Sequence, residues 1–99
     1  MNFKPTLEIA KNSVKECILE YNKNFNSKLT AQDLENLKQE YEKDYKSGGE
    51  GYLKSFKMYT ITEIALIILE VLCLDYVRVL TLTEEEIELV AQELYERWV

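Results

Sequence analysis

The residue types that most often perform catalysis are scarce in this sequence. It contains no histidine, which removes the usual general base and the commonest metal-ligating side chain. Serine and cysteine nucleophiles need an adjacent base to activate them, and histidine is the side chain that usually serves. We therefore expect no catalytic residues and predict that the protein is not an enzyme.

Motifs for metals and cofactors are also missing. Carboxylate di-metal bundles need a Glu-x-x-His motif, and EF-hand loops arrange oxygen ligands around a central glycine. Residues 33–44 (DLENLKQEYEKD) are rich in acids but follow a helical pattern. Gly48, Gly49 and Gly51 lack the spacing of a P-loop or a dinucleotide-binding fingerprint. The sequence predicts no metal and no cofactor.

Cys17 and Cys73 are the two cysteines of the chain. Both fall in segments that we predict to be helix interior, where cysteine behaves as a small apolar side chain. The first residues contain no apolar stretch like that of a signal peptide. We therefore expect reduced, buried thiols and a cytoplasmic protein.

Acidic residues are concentrated near the end of the chain. The formal net charge is −6, and residues 82–99 hold six glutamates and one arginine. We define a candidate acidic patch by five of these glutamates: Glu84, Glu85, Glu88, Glu93 and Glu96. Such a face is typical of a solvated helix, and it is also suited to steer a basic partner. An acidic chain repels phosphate, so we expect no direct binding to nucleic acid.

Aromatic residues indicate a second candidate surface. The chain contains seven tyrosines, and tyrosine is enriched at interfaces because it offers a large contact area at low entropic cost. Several aromatic residues surround the end of the predicted second helix and the segment after it. They form the first part of a candidate interface: Tyr41, Tyr45, Tyr52, Phe56 and Tyr59.

Threonine caps mark the predicted helix starts. In LTAQDL, Thr30 stands three residues before Asp33, and in LTEEEI, Thr83 stands three residues before Glu86. Both spacings predict a capping box. A weaker version in ITEIAL places an N-cap at Thr62. Three glycines and one proline in the whole chain favour long, uninterrupted elements.

Apolar residues recur at helical spacing between these caps. We predict four helices, at about residues 6–24, 30–47, 62–80 and 83–98, with a loop at 48–60. Within that loop, the pattern of YLKSFKMY leaves open an extra helical turn or a short strand. The first and last helices should bury one stripe each. These stripes are Leu7, Ala10, Val14, Cys17 and Tyr21, and then Ile87, Val90, Ala91, Leu94 and Trp98. Residues 1–99 fit a single all-α domain, a small four-helix bundle-like fold in which the third helix is central.

The third helix, TEIALIILEVLCLDYVRVL, is apolar enough to raise the question of a membrane. A span needs roughly 20 mostly apolar residues, and a charge near the bilayer centre costs roughly 2.5–3.5 kcal/mol. Glu70, Asp75 and Arg78 interrupt the run. We therefore predict a buried helix and no membrane partner.

One face of this helix combines Glu63 and Glu70 with Ile67 and Leu74. Water would reach that face in a simple four-helix monomer. Ile67 and Leu74 therefore join the candidate interface, as the contact of a homo-oligomer. The alternative is that the first and fourth helices cover them. The sequence leaves open whether the bundle holds a cavity for an apolar ligand.

These features predict a binding protein of unknown partner. The main hypothesis is a small acidic protein that binds and blocks another protein, as inhibitors, antidotes and immunity proteins of phages and mobile elements do. One alternative is a homo-oligomeric scaffold. Another is an acidic mimic of nucleic acid that occupies a basic groove of a nucleic-acid-handling protein.

Overall fold

A computed structural model describes residues 6–24, 29–72 and 81–97, which form four α-helices. The helices are α1 (Leu7–Asn24), α2 (Ala31–Ser47), α3 (Tyr52–Leu72) and α4 (Glu84–Arg97). The described ranges contain no β-strand. The prediction of a small all-α domain with four helices is confirmed.

Helix α1 packs antiparallel to α4, and α2 packs antiparallel to α3. Lys11 and Lys15 of α1 pair with Glu88 and Glu84 of α4, so the residue numbers run in opposite directions along the two helices. The contacts between α2 and α3 follow the same order, and α3 also packs against α1 and α4.

The core is built around the second half of α3. All eight residues from 61 to 68 are buried. Successive residues of a helix point in different directions, so such a run is buried only where neighbours surround the helix. The central position predicted for the third helix is thereby explained.

The outer helices each bury one stripe, as their sequence periodicity predicted. Buried residues of α1 and α4 are Ala10, Val14, Cys17 and Tyr21, and Ile87, Val90, Ala91 and Leu94. Leu7 begins α1 and is 40% exposed, so the predicted stripe is buried only from Ala10 onward. Trp98 lies outside the described residues.

Both predicted capping boxes are present. The Thr30 hydroxyl accepts a hydrogen bond from the Asp33 amide at 3.1 Å, and the Thr30 amide donates to the Asp33 carboxylate at 3.1 Å. Thr83 and Glu86 make the same two bonds at 3.2 and 2.9 Å. Each box satisfies amides that the helix itself leaves without partners.

The predicted loop at 48–60 and the predicted N-cap at Thr62 are wrong. Helix α3 begins at Tyr52, so only residues 48–51 connect it to α2. Nothing between residues 52 and 60 breaks a helix, since the segment has no glycine or proline. Thr62 is fully buried in the helix interior, where its hydroxyl donates to the Tyr59 carbonyl at 2.9 Å.

Candidate interaction surface

Four of the predicted interface residues form one aromatic cluster where α2 meets α3. The Tyr45 ring lies at the centre, with centroid distances of 5.3 Å to Tyr52, 5.0 Å to Phe56 and 6.0 Å to Tyr59. These distances fall in the range at which aromatic rings attract each other. The sequence predicted the residues, and the structure brings them together.

The local sequence explains this arrangement. Tyr52, Phe56 and Tyr59 are spaced by four and three residues, so they share one face of α3. Gly48 ends α2 in the left-handed conformation, with φ of +67° and its amide donating to the Tyr45 carbonyl at 3.3 Å. Gly51 also has a positive φ, of +83°. Such angles favour glycine, and they let a very short connection join the two helices.

Apolar surface is exposed beside the cluster. Leu53 is 76% exposed, Tyr52 41% and Phe56 38%. We name Leu53 together with the four clustered rings the aromatic tip. The rings are large and partly apolar, and their positions are fixed by stacking on one another. A partner that covers them would remove contiguous apolar area from water.

Tyr41 on α2 and Tyr59 on α3 are both half-buried. Burial raises the pKa of the Tyr41 phenol. Burial, followed by the negative charge of Glu63, raises the pKa of Tyr59. Both phenols therefore stay protonated at neutral pH and can donate hydrogen bonds.

The predicted outward position of Ile67 is wrong, because its side chain is fully buried at 0% exposure. Lys38 of α2 and Arg97 of α4 both reach Glu63 on the same face, so these two helices cover it. Leu74 lies outside the described residues. The structure thus leaves Ile67 no free surface on which a second copy could bind.

Glu63 is the buried charge of the core, and only 7% of the residue is exposed. Lys38 Nζ lies 2.9 Å from its Oε2, and Arg97 Nη1 lies 3.3 Å from its Oε1. Arg97 also pairs with Glu70. Two cations from two helices therefore neutralise the carboxylate, and the arrangement ties α2 and α4 to α3.

The negative charge around Lys38 and Arg97 raises the pKa of both side chains. Burial opposes the charged form of Lys38, but the hydrogen bond and the charge of Glu63 outweigh it and raise the Lys38 pKa. The hydrogen bond that Arg97 donates to Glu70 raises the Arg97 pKa. Burial opposes this less strongly, and the bond that Arg97 donates to Glu63 adds to the rise. Both side chains stay positively charged, which suits a structural ion-pair cluster rather than acid–base catalysis.

Ion pairs partly neutralise the candidate acidic patch. Glu84 lies 3.7 Å from Lys15, Glu88 lies 3.5 Å from Lys11, and Glu93 lies 3.8 Å from Arg97. The Glu96 carboxylate accepts a hydrogen bond from Gln92 at 3.2 Å. Glu85 is exposed on the outer side of α4. Two of these glutamates thus help to join α4 to α1.

A groove of about 180 Å³ lies between α1 and α3, next to the aromatic tip. Cys17, Ile61 and Ile64 form its apolar floor, and Phe56 belongs both to the groove and to the aromatic cluster. The Cys17 thiol donates to the Ile61 carbonyl at 3.6 Å. Burial raises the pKa of Cys17 to about 12, so the sulfur is a protonated thiol and a poor nucleophile.

Within the described residues, no three side chains of the metal-ligating types Cys, Asp and Glu lie close enough to hold a metal ion. None of the helices in the described ranges has the length and apolar character needed to cross a membrane. Comparison of the chain with protein-family models, curated protein sequences and solved structures gave no match.

Proposed function

We propose that this chain is a non-enzymatic binding protein that attaches to another protein through the aromatic tip. One observation carries the proposal: the first turns of α3 expose Leu53, Tyr52 and Phe56 side by side, at 76%, 41% and 38%. The same helix buries its apolar residues completely a few turns later. Exposed apolar residues grouped in this way are a frequent feature of interaction sites.

The energetics of binding favour this surface. Burial of apolar area contributes roughly 25 cal/mol per Å², and binding-energy hot spots are enriched in tyrosine. The Tyr45 ring already packs against Tyr52, Phe56 and Tyr59 in the free protein. Ordering these rings on binding therefore costs little additional entropy.

A chain of 99 residues without histidine is better suited to occupy a partner's surface than to transform a substrate. We therefore favour an inhibitor or antidote that binds its target in the cytoplasm, where a thiol such as Cys17 stays reduced. The scaffold alternative has lost the exposed Ile67 that motivated it. The nucleic-acid mimic is less favoured, because lysines of α1 neutralise Glu84 and Glu88.

The test compares three tagged proteins in affinity capture from the lysate of the organism that encodes the chain. They are the wild type, Leu53→Asp and Leu19→Asp. Leu19 is a matched control, since it is 73% exposed on α1 against 76% for Leu53. We expect quantitative mass spectrometry to find a protein that the wild type and Leu19→Asp retain equally.

Leu53→Asp should retain at least tenfold less of that protein. The proposal is contradicted if all three proteins retain the same set in the same amounts, or if none retains a specific protein.

A further inference from the structure

We propose that the groove between α1 and α3 is the second half of the binding surface, and that it accepts a basic amphipathic helix of the partner protein. An aliphatic side chain of that helix would enter the groove, and a lysine or arginine one turn away would face Glu16 and Glu20. This inference rests on the proposed function, because one partner would cover both the groove and the aromatic tip.

The aromatic tip borders the groove. Leu53, Lys57, Thr60 and Ile64 follow one another at helical spacing along the side of α3 that borders the groove. Phe56 lies where the two surfaces join. A partner that covers Leu53 therefore extends directly over the groove.

The size of the groove suits a single large side chain. Its volume is about 180 Å³, and an apolar cavity of roughly 150 Å³ accommodates benzene. A leucine, isoleucine or phenylalanine therefore fits. Two parallel or antiparallel helices with a gap between them form the type of groove that receives an amphipathic helix, whose anchors recur every three or four residues.

Charge determines which helix fits. The α1 wall of the groove carries Glu16 and Glu20, and the α3 wall carries Lys57. Glu16 is exposed and has no ion-pair partner within the described ranges. Lys57 lies 3.4 Å from Glu20, and the two side chains are 60% and 35% exposed. An incoming cation can pair with Glu16 and compete with Lys57 for Glu20.

Long-range attraction comes from the whole chain, whose negative charge lies mostly on residues 82–99 rather than at the groove. The formal net charge of the chain is −6, which attracts a basic partner and accelerates its approach. A partner helix with glutamates beside its apolar anchor would meet Glu16 and Glu20 with like charge. The groove therefore discriminates by repulsion as well as by attraction.

The first experiment selects ligands from random 16-residue peptides displayed on phage, with the wild-type protein as bait. We expect the enriched peptides to carry aliphatic residues three or four positions apart, together with lysine or arginine. Ser13 borders the groove on α1, so Ser13→Trp should fill it and weaken binding of the enriched peptides at least tenfold. A circular-dichroism melt establishes that this variant is folded.

A charge change tests the inference without filling the groove. Glu16→Lys should weaken binding at least tenfold, whereas Glu40→Lys should change it less than twofold. Glu40 is a matched control because it is also exposed, lies on α2 and gives the same change in net charge. The inference is overturned if no peptide is enriched, if the enriched peptides are acidic or uncharged, or if Ser13→Trp or Glu16→Lys binds them as the wild type does.

Leu53→Asp separates this inference from the proposed function. If Leu53→Asp abolishes peptide binding and Ser13→Trp leaves it unchanged, the aromatic tip is the binding site and the proposal for the groove is wrong. If Ser13→Trp abolishes peptide binding and Leu53→Asp leaves it unchanged, the groove is the binding site and the proposal for the tip is wrong. Loss of binding in both variants is the expected result.

Discussion

The two halves of α3 have opposite surroundings, although they form one continuous helix. All residues from 52 to 60 are exposed or half-buried, whereas those from 61 to 68 are all buried. The first half, YLKSFKMYT, carries three aromatic residues and two lysines, whereas the second, ITEIALII, is almost entirely aliphatic. The difference is that three helices enclose the second half, while the first half extends towards the short connection to α2. The more apolar half is the one that the neighbouring helices enclose, so local hydropathy and the number of neighbours agree on which half is core.

Charged side chains differ between the halves in the same way. Glu63 in the buried half is enclosed by Lys38 and Arg97. Lys57 in the first half lies on the surface, and its pair with Glu20 is open to water. The charged side chain in the enclosed half has buried ion-pair partners, whereas the ion pair in the other half is exposed to solvent.

The largest expected effect is in the buried half. Ile67→Ala should lower the free energy of unfolding by about 2–5 kcal/mol, because Ile67 is fully buried and its loss leaves a cavity. Leu53→Ala in the exposed half should change it by less than about 0.5 kcal/mol. Urea unfolding at neutral pH measures both. Equal costs would show that the halves do not differ in packing.

Glu63→Gln should lower the free energy of unfolding by about 1–3 kcal/mol, because it leaves Lys38 and Arg97 without the buried carboxylate that pairs with them. Glu42→Gln is the control. Glu42 pairs with Lys46 at 2.7 Å on the surface of α2, and the loss of this solvated pair should have a clearly smaller effect. An effect of Glu63→Gln no larger than that of Glu42→Gln would contradict a structural role for the cluster.

Alkaline pH should destabilise the packing of α1 on the buried half. Burial raises the pKa of Cys17 from 9.0 to about 12, so the unfolded chain loses this proton first as pH rises. Stability should then fall between pH 9 and 12, at about 1 kcal/mol per pH unit. The buried Tyr21 phenol, with its pKa raised from 10.0 to about 12, should add to the decline above pH 10.

Unfolding curves at pH 8, 9 and 10 measure this decline. Cys17→Ala removes the thiol and should flatten the dependence between pH 9 and 10. An unchanged slope in this variant would mean that another group causes it.

The smallest expected effect concerns the exposed ion pair. A double-mutant cycle for Lys57 and Glu20 should give a coupling energy below about 0.5 kcal/mol, since both side chains are solvated. The cycle for Lys38 and Glu63 should give a clearly larger value. Added salt should abolish the first coupling and leave most of the second. Similar couplings would remove the contrast between the two halves.

The fold was predictable where local signals determine it. The caps at Thr30 and Thr83 and the stripes of α1 and α4 depend on residues within a few positions of each other. The start of α3 was missed because Thr62 resembles an N-cap, although its hydroxyl bonds within the helix. Only the absence of helix-breaking residues between 52 and 60 could have corrected this.

The surface was predictable in composition but not in geometry. The aromatic residues were identified by type, whereas their contacts depend on the close return of the chain at Gly48. The position of Ile67 was wrong because burial depends on where α2 and α4 lie, which no local pattern encodes. The pairing of Glu63 was missed for the same reason. In the sequence, this pairing is indicated only by the position of Glu63, a single acid at the start of a long apolar run.

The pairing of α1 with α4 affects the order in which the nascent chain can fold. The ion pair between Lys11 and Glu88 joins positions 77 residues apart, whereas only residues 48–51 separate α2 from α3. A ribosome adding roughly 5–20 residues per second needs on the order of 4–15 s to make that longer stretch, while a helix forms in about a microsecond. Closing the short connection between α2 and α3 also costs less entropy than bringing α1 to α4, so folding φ-values should be higher at α2–α3 contacts than at α1–α4 contacts. The nascent chain would then display its aromatic residues for seconds before its first helix can meet its last.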